Sequence, residues 1–315
     1  MLPDTGLHPV LVDVGASGDP PLIWKPLAKQ SVYVGFDPDL REMKETAGSG
    51  FYKRIIVNEA ISADPSQRAV NFFLTKFPFC SSTLEPDTQS LSNFHFYDLF
   101  TVERVSSAPA TTLESVLRRL ELDHLDWLKL DTQGTDLRIF MSLPENLRSR
   151  VLALDVEPGL IDAYKGEDLF VDTHARLLKE GFWLSDLNIG KAVRVRESSL
   201  TAIIPDKTHH STFAKRAIKK TPAWCEARYL RTLESMQANR FGRSEYVMLW
   251  AFAMADGQSG FAMDVALEYE RLFERDEAGS TMKSNTLTGL KKKAAILVPL
   301  IKIKKGLDRA RGRKF

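Results

Sequence analysis

A strand that ends in an acidic residue and a glycine turn constrains the fold of this chain more than any other feature. Residues 10–19 read V-L-V-D-V-G-A-S-G-D. The valines and leucine are typical of a buried parallel strand, and Gly15 and Gly18 allow a sharp turn and a close approach to a ligand. The pattern predicts the first unit of a doubly wound α/β sheet, with a helix after the turn. Ligands of such sheets lie beyond the carboxyl ends of the strands.

The residues of this turn limit the chemistry of the ligand. The run G-A-S-G lacks the early glycine pair of the dinucleotide fingerprint G-x-G-x-x-G. Asp13 disfavours a diphosphate, which binds to backbone N–H groups, and favours a cationic ligand. D-x-G-x-x-G looks like motif I of the class I S-adenosylmethionine methyltransferases, whose ligand carries an ammonium and a sulfonium. A purely structural turn, capped by Asp19, remains the alternative.

A second acidic residue follows the next predicted strand. Residues 31–37 read S-V-Y-V-G-F-D and end at Asp37, about twenty residues beyond the glycine turn. An acid at this place accepts hydrogen bonds from both ribose hydroxyls of a nucleoside. The spacing from Asp13 to Asp37 fits one βαβ unit, so the pair favours a nucleoside-type cofactor.

Composition limits the classes of protein. The sequence has 315 residues, 43% hydrophobic and 27% charged, which fits one large domain or a domain with an appendage. Two cysteines form neither a disulfide framework nor a metal-ligand cluster, so no metal is expected. Residues 291–315 hold ten Lys/Arg against one Asp. The rest is mildly acidic and does not resemble a nucleic-acid binder. With no signal-peptide pattern and no apolar run of about twenty residues, we expect a cytoplasmic protein.

Further strands and helices alternate along the chain. We predict strands at 54–61, 69–74, 127–130, 151–158, 181–187 and 200–204, and helices at 111–122 and 169–179. Such alternation indicates a parallel-rich sheet covered on both faces. The strand at 127–130 ends at Asp131, beside the same crevice if the strands are adjacent. Asp155 and Glu157 fall on one face of the strand after it.

Two other segments hold candidate ligand contacts. The loop 77–87 carries Ser81 and Ser82, and loops at such positions often determine specificity. Ordinary turn serines are the alternative. His95 lies in the aromatic stretch N-F-H-F-Y-D-L-F and is either a base or a packing residue.

Four blocks in order resemble the FkbM family of S-adenosylmethionine-dependent methyltransferases. They are V-D-V-G-A-S-G at 12–18, V-G-F-D-P-D at 34–39, L-D-W-L-K-L-D-T-Q-G-T-D at 125–136 and L-D-V-E-P at 154–158. The resemblance covers roughly residues 8–205. It implies a class I methyltransferase sheet of seven strands, S-adenosylmethionine as cofactor, and methyl transfer to a hydroxyl, often of a sugar or polyketide.

The resemblance also implies roles for individual residues. The methionine end of the cofactor would be framed by Asp13, Gly15, Ala16 and Gly18, the ribose would be held by Asp37, and the acceptor side would be lined by Asp131, Gln133 and Gly134. The family usually has an acid where this chain has Gln133, so this side chain carries no charge for binding a cation or accepting a proton. An amide still binds a sugar hydroxyl. We expect Asp131 or Glu157 to accept the proton of the acceptor, a step that contributes about 10²–10⁴-fold.

The chain is predicted to have three parts: a methyltransferase domain at 1–207, a helical accessory region at 208–288 and a basic tail at 289–315. Helical patterns recur at 225–236, 245–255 and 261–273, and 274–288 has the composition of a linker. The accessory helices are expected to cover the site or to form a homo-oligomer. The tail surrounds the apolar stretch 294–301 and either lies at an anionic membrane surface, on the inner face of the membrane, or is a solvated or docked segment.

The functional hypothesis is O-methylation of a hydroxyl on a sugar, glycan or glycolipid. Methylation of another small molecule, such as a polyketide, is the alternative within the same class. A module that binds the cofactor or a sugar without turnover is the alternative outside it. An NAD-dependent oxidoreductase is less well supported because the first turn lacks G-x-G.

Overall fold

The structure is a computed structural model that describes residues 6–16, 18–36, 38 and 50–310, with side chains to residue 298. The chain forms two compact units. One spans His8–Asn239, and the other combines Met1–Leu7 with Arg240–Phe315. Asp37 and the predicted helix after it, around residues 40–47, lie outside the described residues.

Ten strands are present in the described residues of the first unit. They are β1 (Val10–Val14), β2 (Val32–Phe36), β3 (Lys53–Val57), β4 (Ala60–Ile61), β5 (Ala69–Thr75), β6 (Val102–Thr111), β7 (Trp127–Leu130), β8 (Ala153–Val156), β9 (Phe182–Val193) and β10 (Lys220–Arg231). Seven of them form one sheet in the order β3-β2-β1-β7-β8-β10-β9, and the other three form a small sheet in the order β4-β6-β5.

The large sheet is mostly parallel. Strands β3, β2, β1, β7 and β8 run in one direction, and β10 is antiparallel to both β8 and β9. The prediction of an α/β fold with a seven-stranded, mostly parallel sheet is confirmed, and the order is compatible with a Rossmann-like fold. The chain proceeds from β1 outward to β2 but from β7 outward to β8, so the crevice between β1 and β7 is a topological switch point.

Helices connect the strands of the first unit, and others form the second unit. The α-helices are α1 (Thr88–Leu91), α2 (Leu113–Arg119), α3 (Asp136–Ser142), α4 (Glu145–Arg148), α5 (Phe170–Lys179), α6 (Glu197–Ile203), α7 (His210–Ala217), α8 (Leu233–Ala238), α9 (Arg243–Ala255), α10 (Ser259–Leu272) and α11 (Glu277–Ala310). On one side of the sheet, Val10, Val12 and Val14 are buried in a core cluster with Leu113 of α2 and Phe140 of α3. The alternation of the strand residues places these valines on a single face.

The opposite face of the sheet carries a row of alternating charges. Asp13, Lys129, Asp155 and Arg228 are register partners on β1, β7, β8 and β10. Lys129 Nζ lies 3.0 Å from Asp13 Oδ1, and Arg228 Nε lies 2.7 Å from Asp155 Oδ1. The row pairs each buried carboxylate with a cation, which is the usual condition for keeping charge inside a protein.

The structure corrects several predicted elements. The strand predicted at 200–204 is wrong, because Leu200 packs with Val193 and Ala214 as part of helix α6. The helix predicted at 225–236 is also wrong over most of its length: the segment is the strand β10, followed by α8. The large sheet therefore extends to Arg231, beyond residue 207. After the first glycine turn, the helix is replaced by two short 3₁₀ turns, Leu22–Trp24 and Ala28–Gln30.

The small sheet revises the middle of the chain. The third strand predicted at 54–61 divides into β3 of the large sheet and β4 of the small one. The strand predicted at 69–74 is present as β5, which pairs antiparallel with the ten-residue β6. The helix predicted at 111–122 is present as the shorter α2, which Thr112 caps by accepting from Ser115 N.

The second unit contains helices α9, α10 and α11. Within it the indole of Trp250 donates to Thr286 Oγ1 at 2.8 Å, and both side chains are buried. The linker predicted at 274–288 is wrong, because α11 begins at Glu277. In the part of the chain that the structure describes, no helix is long and apolar enough to cross a membrane. The membrane contact through 291–315 and the homo-oligomer stay predictions.

Candidate functional site

A cavity of about 560 Å³ opens at the carboxyl ends of the parallel strands. Its walls include the residues that end or follow β1, β2, β3, β7 and β8: Val14, Gly15, Phe36, Pro38, Glu59, Asp131 and Glu157. The cavity thus lies beside the topological switch point between β1 and β7, where α/β sheets bind their ligands. Its volume is within the range of about 300–1,000 Å³ that small-molecule sites occupy.

The turn after β1 brings the main chain to this cavity. Gly15 has φ +83°, and a Cβ added there would lie 2.1 Å from the carbonyl oxygen of Asp131. Only glycine fits between the two strand ends. The N–H groups of Gly15 and Ala16 both donate to Phe36 O at 2.9 Å, so main-chain hydrogen bonds hold the turn against β2.

The predicted cofactor residues of this turn are not equally placed. Gly15 lines the cavity, whereas Asp13, Ala16 and Gly18 are not among its lining residues. Gly18 also has positive φ, +85°, but a Cβ added there would meet nothing within 4 Å. Asp37 lies outside the described residues, although Phe36 and Pro38 on either side of it line the cavity.

Asp13 is buried inside the charged row rather than exposed to the cavity. It accepts hydrogen bonds from Lys129 Nζ at 3.0 Å and Tyr33 Oη at 3.1 Å. Burial raises the pKa of Asp13, and the Lys129 ammonium partly offsets this effect. Burial lowers the pKa of Lys129, but the charges of Asp13 and Asp131 outweigh it and raise that pKa overall. In this structure the charge of Asp13 is therefore balanced within the protein.

The turn after β7 is held by side chains. Gln133 has φ +57°, unusual for a residue with a Cβ. Its Nε2 donates to Asp131 Oδ1 at 2.8 Å, and its Oε1 accepts from the Tyr164 hydroxyl at 3.1 Å. Ser82 Oγ donates to the Gln133 carbonyl at 2.7 Å. Gln133 thus fixes the orientation of Asp131 without adding a second charge beside it.

Asp136 anchors this turn to the end of β8. Its Oδ1 accepts from Thr132 N at 3.0 Å and its Oδ2 from Glu157 N at 2.7 Å. Burial raises the pKa of Asp136 to about 6, against the opposing effect of these hydrogen bonds. The carboxyl group ties two strand ends together, so the positions of Asp131 and Glu157 depend on it.

Asp131 and Glu157 form an acid pair in the wall of the cavity. Asp131 lies just past the end of β7, with Lys129 Nζ 3.7 Å from its Oδ2. Burial raises the pKa of Glu157 to about 9, with further contributions from the charge of Asp131 and a hydrogen bond to it. Glu157 therefore keeps its proton near neutral pH. The structure brings together the two carboxyl groups that the sequence indicated as candidate bases.

Glu167 is a further acid of the cavity, and no sequence motif indicated it. Its Oε1 accepts from Ala163 N at 2.6 Å, and burial raises its pKa to about 7. A Cβ added at Gly134 would lie 2.9 Å from Glu167 Cβ, so Gly134 gives this side chain its space. The only signal in the sequence is an acid within the polar turn 164–167.

The two serines have different surroundings. Ser81 lines the cavity, and its Oγ accepts from Thr75 N at 3.1 Å. Ser82 is fully buried and is not a lining residue; its Oγ accepts from Leu84 N as well as donating to Gln133 O. Ser82 therefore supports the turn after β7, whereas Ser81 can reach a bound molecule.

Aromatic side chains form much of the remaining wall. They are Phe72, Phe77, Phe79, Phe96, Phe100, Tyr164 and Trp224. Phe77 is 42% and Phe79 54% exposed, so both rings present apolar surface to solvent. His95 also lines the cavity, and its buried Nδ1 has no hydrogen-bond partner among the described residues. An apolar wall with a few polar groups is typical of a small-molecule site.

The sequence was compared with protein-family models, with curated proteins and with solved structures, and none of the three comparisons found a match. The FkbM resemblance therefore stays a prediction from the four motif blocks at 12–18, 34–39, 125–136 and 154–158.

Proposed function

We propose that this protein is an S-adenosylmethionine-dependent O-methyltransferase of the FkbM type, acting on a hydroxyl of a sugar, glycan or glycolipid. The observation that carries the proposal is the cavity at the β1/β7 switch point, lined by the glycine turn of β1 and by an acid pair. Small ligands of α/β sheets bind at such points, and the acid pair meets the need of an alcohol acceptor for proton removal.

The residues present suit the cofactor. Gly15 has no side chain at a point where a Cβ would lie only 2.1 Å from the Asp131 carbonyl oxygen. Val14, Gly15 and Ile61 would hold its methionine and adenosine parts, with Asp131 beside the sulfonium. A carboxylate favours a cationic group, whereas a dinucleotide diphosphate calls for N–H donors, and the N–H groups of Gly15 and Ala16 already donate to Phe36 O. When bound, the cofactor would supply the methyl group.

The acid pair gives the chain a means of removing the acceptor proton. We assign the role of base to Asp131, because it lines the cavity and Gln133 fixes its orientation. Glu157 holds a proton near neutral pH, so it serves as the neutral partner. Alignment of the acceptor against the cofactor provides the larger share of the rate, up to roughly 7–11 kcal/mol in ideal cases.

Ligand-dependent thermal stability tests the proposal. The full-length chain is melted alone and with S-adenosylmethionine, S-adenosylhomocysteine or NAD⁺. A ligand at about 100 times its Kd adds roughly 2.7 kcal/mol of stability, which raises Tm by several degrees for a domain of this size. We expect both adenosyl compounds to raise Tm and NAD⁺ to have no effect. A shift with NAD⁺ alone would favour an oxidoreductase, and no shift with any of the three would contradict the proposal.

A further inference from the structure

The charges that line the cavity are segregated along it. The lining acids, Glu59, Asp131, Glu157 and Glu167, follow β3, β7 and β8 or lie in the loop before α5. The lining lysines, Lys191, Lys215 and Lys220, belong to β9, α7 and β10. The acids thus lie at the ends of the parallel strands, where the proposed function puts the cofactor and the reacting hydroxyl, and the lysines lie at the antiparallel edge of the sheet and on α7.

The main chain brings the three lysines together. On the antiparallel pair β9/β10, Lys220 is opposite Val193 and Lys191 is opposite Pro222, so both lysines stand on one face two residues apart along the ladder. Helix α7 packs against this ladder, since Ala214 next to Lys215 shares a buried cluster with Val193.

Helix α7 is itself held firmly. The buried His210 at its start lies with Nδ1 2.9 Å from Glu197 Oε1 and Nε2 2.7 Å from Ile204 O. Packing and hydrogen bonds of helix α7 therefore fix the position of the Lys215 main chain.

Acidic partners neutralise some lysines of the same unit. Lys76 pairs with Asp98 and Lys165 with Glu85 at 3.0 and 2.7 Å. In the described part of the chain, no carboxylate lies within ion-pair distance of Lys191, Lys215 or Lys220, which are exposed at the cavity. The part of a cleft that cations line, with apolar walls beside them, concentrates anions.

We propose that the acceptor carries a phosphate or carboxylate group, which binds to Lys191, Lys215 and Lys220 while its hydroxyl reaches the acid pair. This inference rests on the proposed function, because it takes the other part of the cavity as the cofactor site. Lysine binds phosphate and carboxylate oxygens as a point charge. Phe79 and Trp224, which also line the cavity and are partly exposed, offer flat apolar faces to an acceptor ring.

Matched probes test the inference. Binding of S-adenosylhomocysteine is measured first, and the protein saturated with it is then titrated with glucose 6-phosphate, glucuronate and glucose. We expect at least one anionic probe to bind about ten-fold or more tightly than glucose, the effect of two to three exposed charge contacts. Tight binding of glucose 6-phosphate alone would indicate that the acceptor carries a phosphate, and tight binding of glucuronate alone would indicate a carboxylate. Tight binding of both would support an anion site that accepts either group.

Two triple variants locate the binding. K191Q/K215Q/K220Q should lose the advantage of the anionic probe. The control, K25Q/K29Q/K179Q, changes the net charge equally at exposed lysines outside the cavity, and should bind like the wild type.

Three results would overturn the inference: anionic probes that bind no better than glucose, anion binding that survives in the cavity triple variant, or equal losses in both variants. If S-adenosylhomocysteine does not bind, the proposed function fails. The probes are then titrated without it, and the anion site is judged by the same comparison.

Discussion

The turns after β1 and β7 meet at the crevice. Each contains an aspartate and a glycine, but the two aspartates have different surroundings. The turn after β1 has Asp13 two residues before Gly15, and the turn after β7 has Asp131 three residues before Gly134. Asp13 is a buried member of the charged row, whereas Asp131 lines the cavity. Both carboxylates contact Lys129, at 3.0 and 3.7 Å.

Asp13 and Asp131 lie on the same face of the sheet and differ in their position along the strands. Asp13 is the register partner of Lys129, so Asp131, two residues later, is level with Gly15. Two residues of strand span roughly 6.6 Å, enough to separate the inside of the sheet from the crevice. The register between two adjacent strands therefore decides which acid is structural and which can meet a ligand.

The turns also differ in what holds them. Main-chain bonds from Gly15 and Ala16 to Phe36 O hold the first. Side chains of Ser82, Gln133 and Asp136 hold the second. We expect substitutions at the first turn to change ligand binding through steric clashes and backbone strain. We expect substitutions at the second turn to change the rate of methyl transfer.

The largest expected effect is the loss of turnover in Asp131→Asn. If Asp131 accepts the acceptor proton, methyl transfer should fall by about 10²–10⁴-fold, while the affinity for S-adenosylhomocysteine stays within a few-fold. Transfer of a labelled methyl group to an acceptor found by screening, with calorimetry for the affinity, measures both. Turnover close to that of the wild type would show that Asp131 is not the base. The two turns would then not differ in function as the comparison states.

The pH dependence of stability tests the acid pair. The pKa of Glu157 is about 9 in the folded protein, against 4.5 for an ordinary glutamate, so the folded state keeps a proton that the unfolded state releases between those values. This contribution to stability is full below pH 4.5 and is lost as pH rises through 9, by up to about 1.4 kcal/mol per pH unit.

Glu157→Gln should remove that dependence. Urea unfolding between pH 5 and 9 should show the variant gaining stability relative to the wild type as pH rises, by up to about 1.4 kcal/mol for each pH unit. Parallel pH profiles for the two proteins would mean that Glu157 ionises normally and that the two carboxyl groups share no proton.

A smaller effect is expected for Asp13→Asn. The substitution leaves Lys129 beside Asp131 and Asp155 but removes its nearest partner, so the free energy of unfolding should fall by about 1–3 kcal/mol. Any remaining folded protein should bind S-adenosylhomocysteine nearly as the wild type does, because Asp13 does not line the cavity. A selective loss of affinity with unchanged stability would assign Asp13 to the cofactor and contradict the comparison.

The parallel half of the sheet was predictable from sequence, and the antiparallel edge was not. β1 coincides with the apolar start of the run 10–19, and β7 has the bounds predicted for the central strand, because short apolar runs ending in an acid and glycine are distinctive. β10 is rich in Ala, Glu, Arg and Leu, which favour helices. It is a strand because Cys225, Ala227 and Tyr229 alternate with more exposed residues, a period of two that the helical interpretation overlooked.

The site was predictable only in part, for a related reason. Asp131, Glu157 and Gly15 follow strands and were found from that pattern. Glu167 reaches the cavity through a loop whose position depends on Asp168 N donating to Gly134 O at 2.8 Å and Arg138 N donating to Asp168 at 2.9 Å. Hydrogen bonds between residues thirty or more positions apart leave no local signal, and neither does the register that buries Asp13.

Calorimetric titration with S-adenosylhomocysteine of the wild type, Gly15→Ala and Gly18→Ala tests the central claim most directly. Both glycines have positive φ, +83° and +85°, so both substitutions carry similar backbone strain, but only Gly15 faces the Asp131 carbonyl. We expect binding in the micromolar range, about −8 kcal/mol, which Gly18→Ala retains within a few-fold and Gly15→Ala weakens at least about ten-fold. No binding by the folded wild type, or equal binding by the two variants, would contradict a cofactor site between β1 and β7.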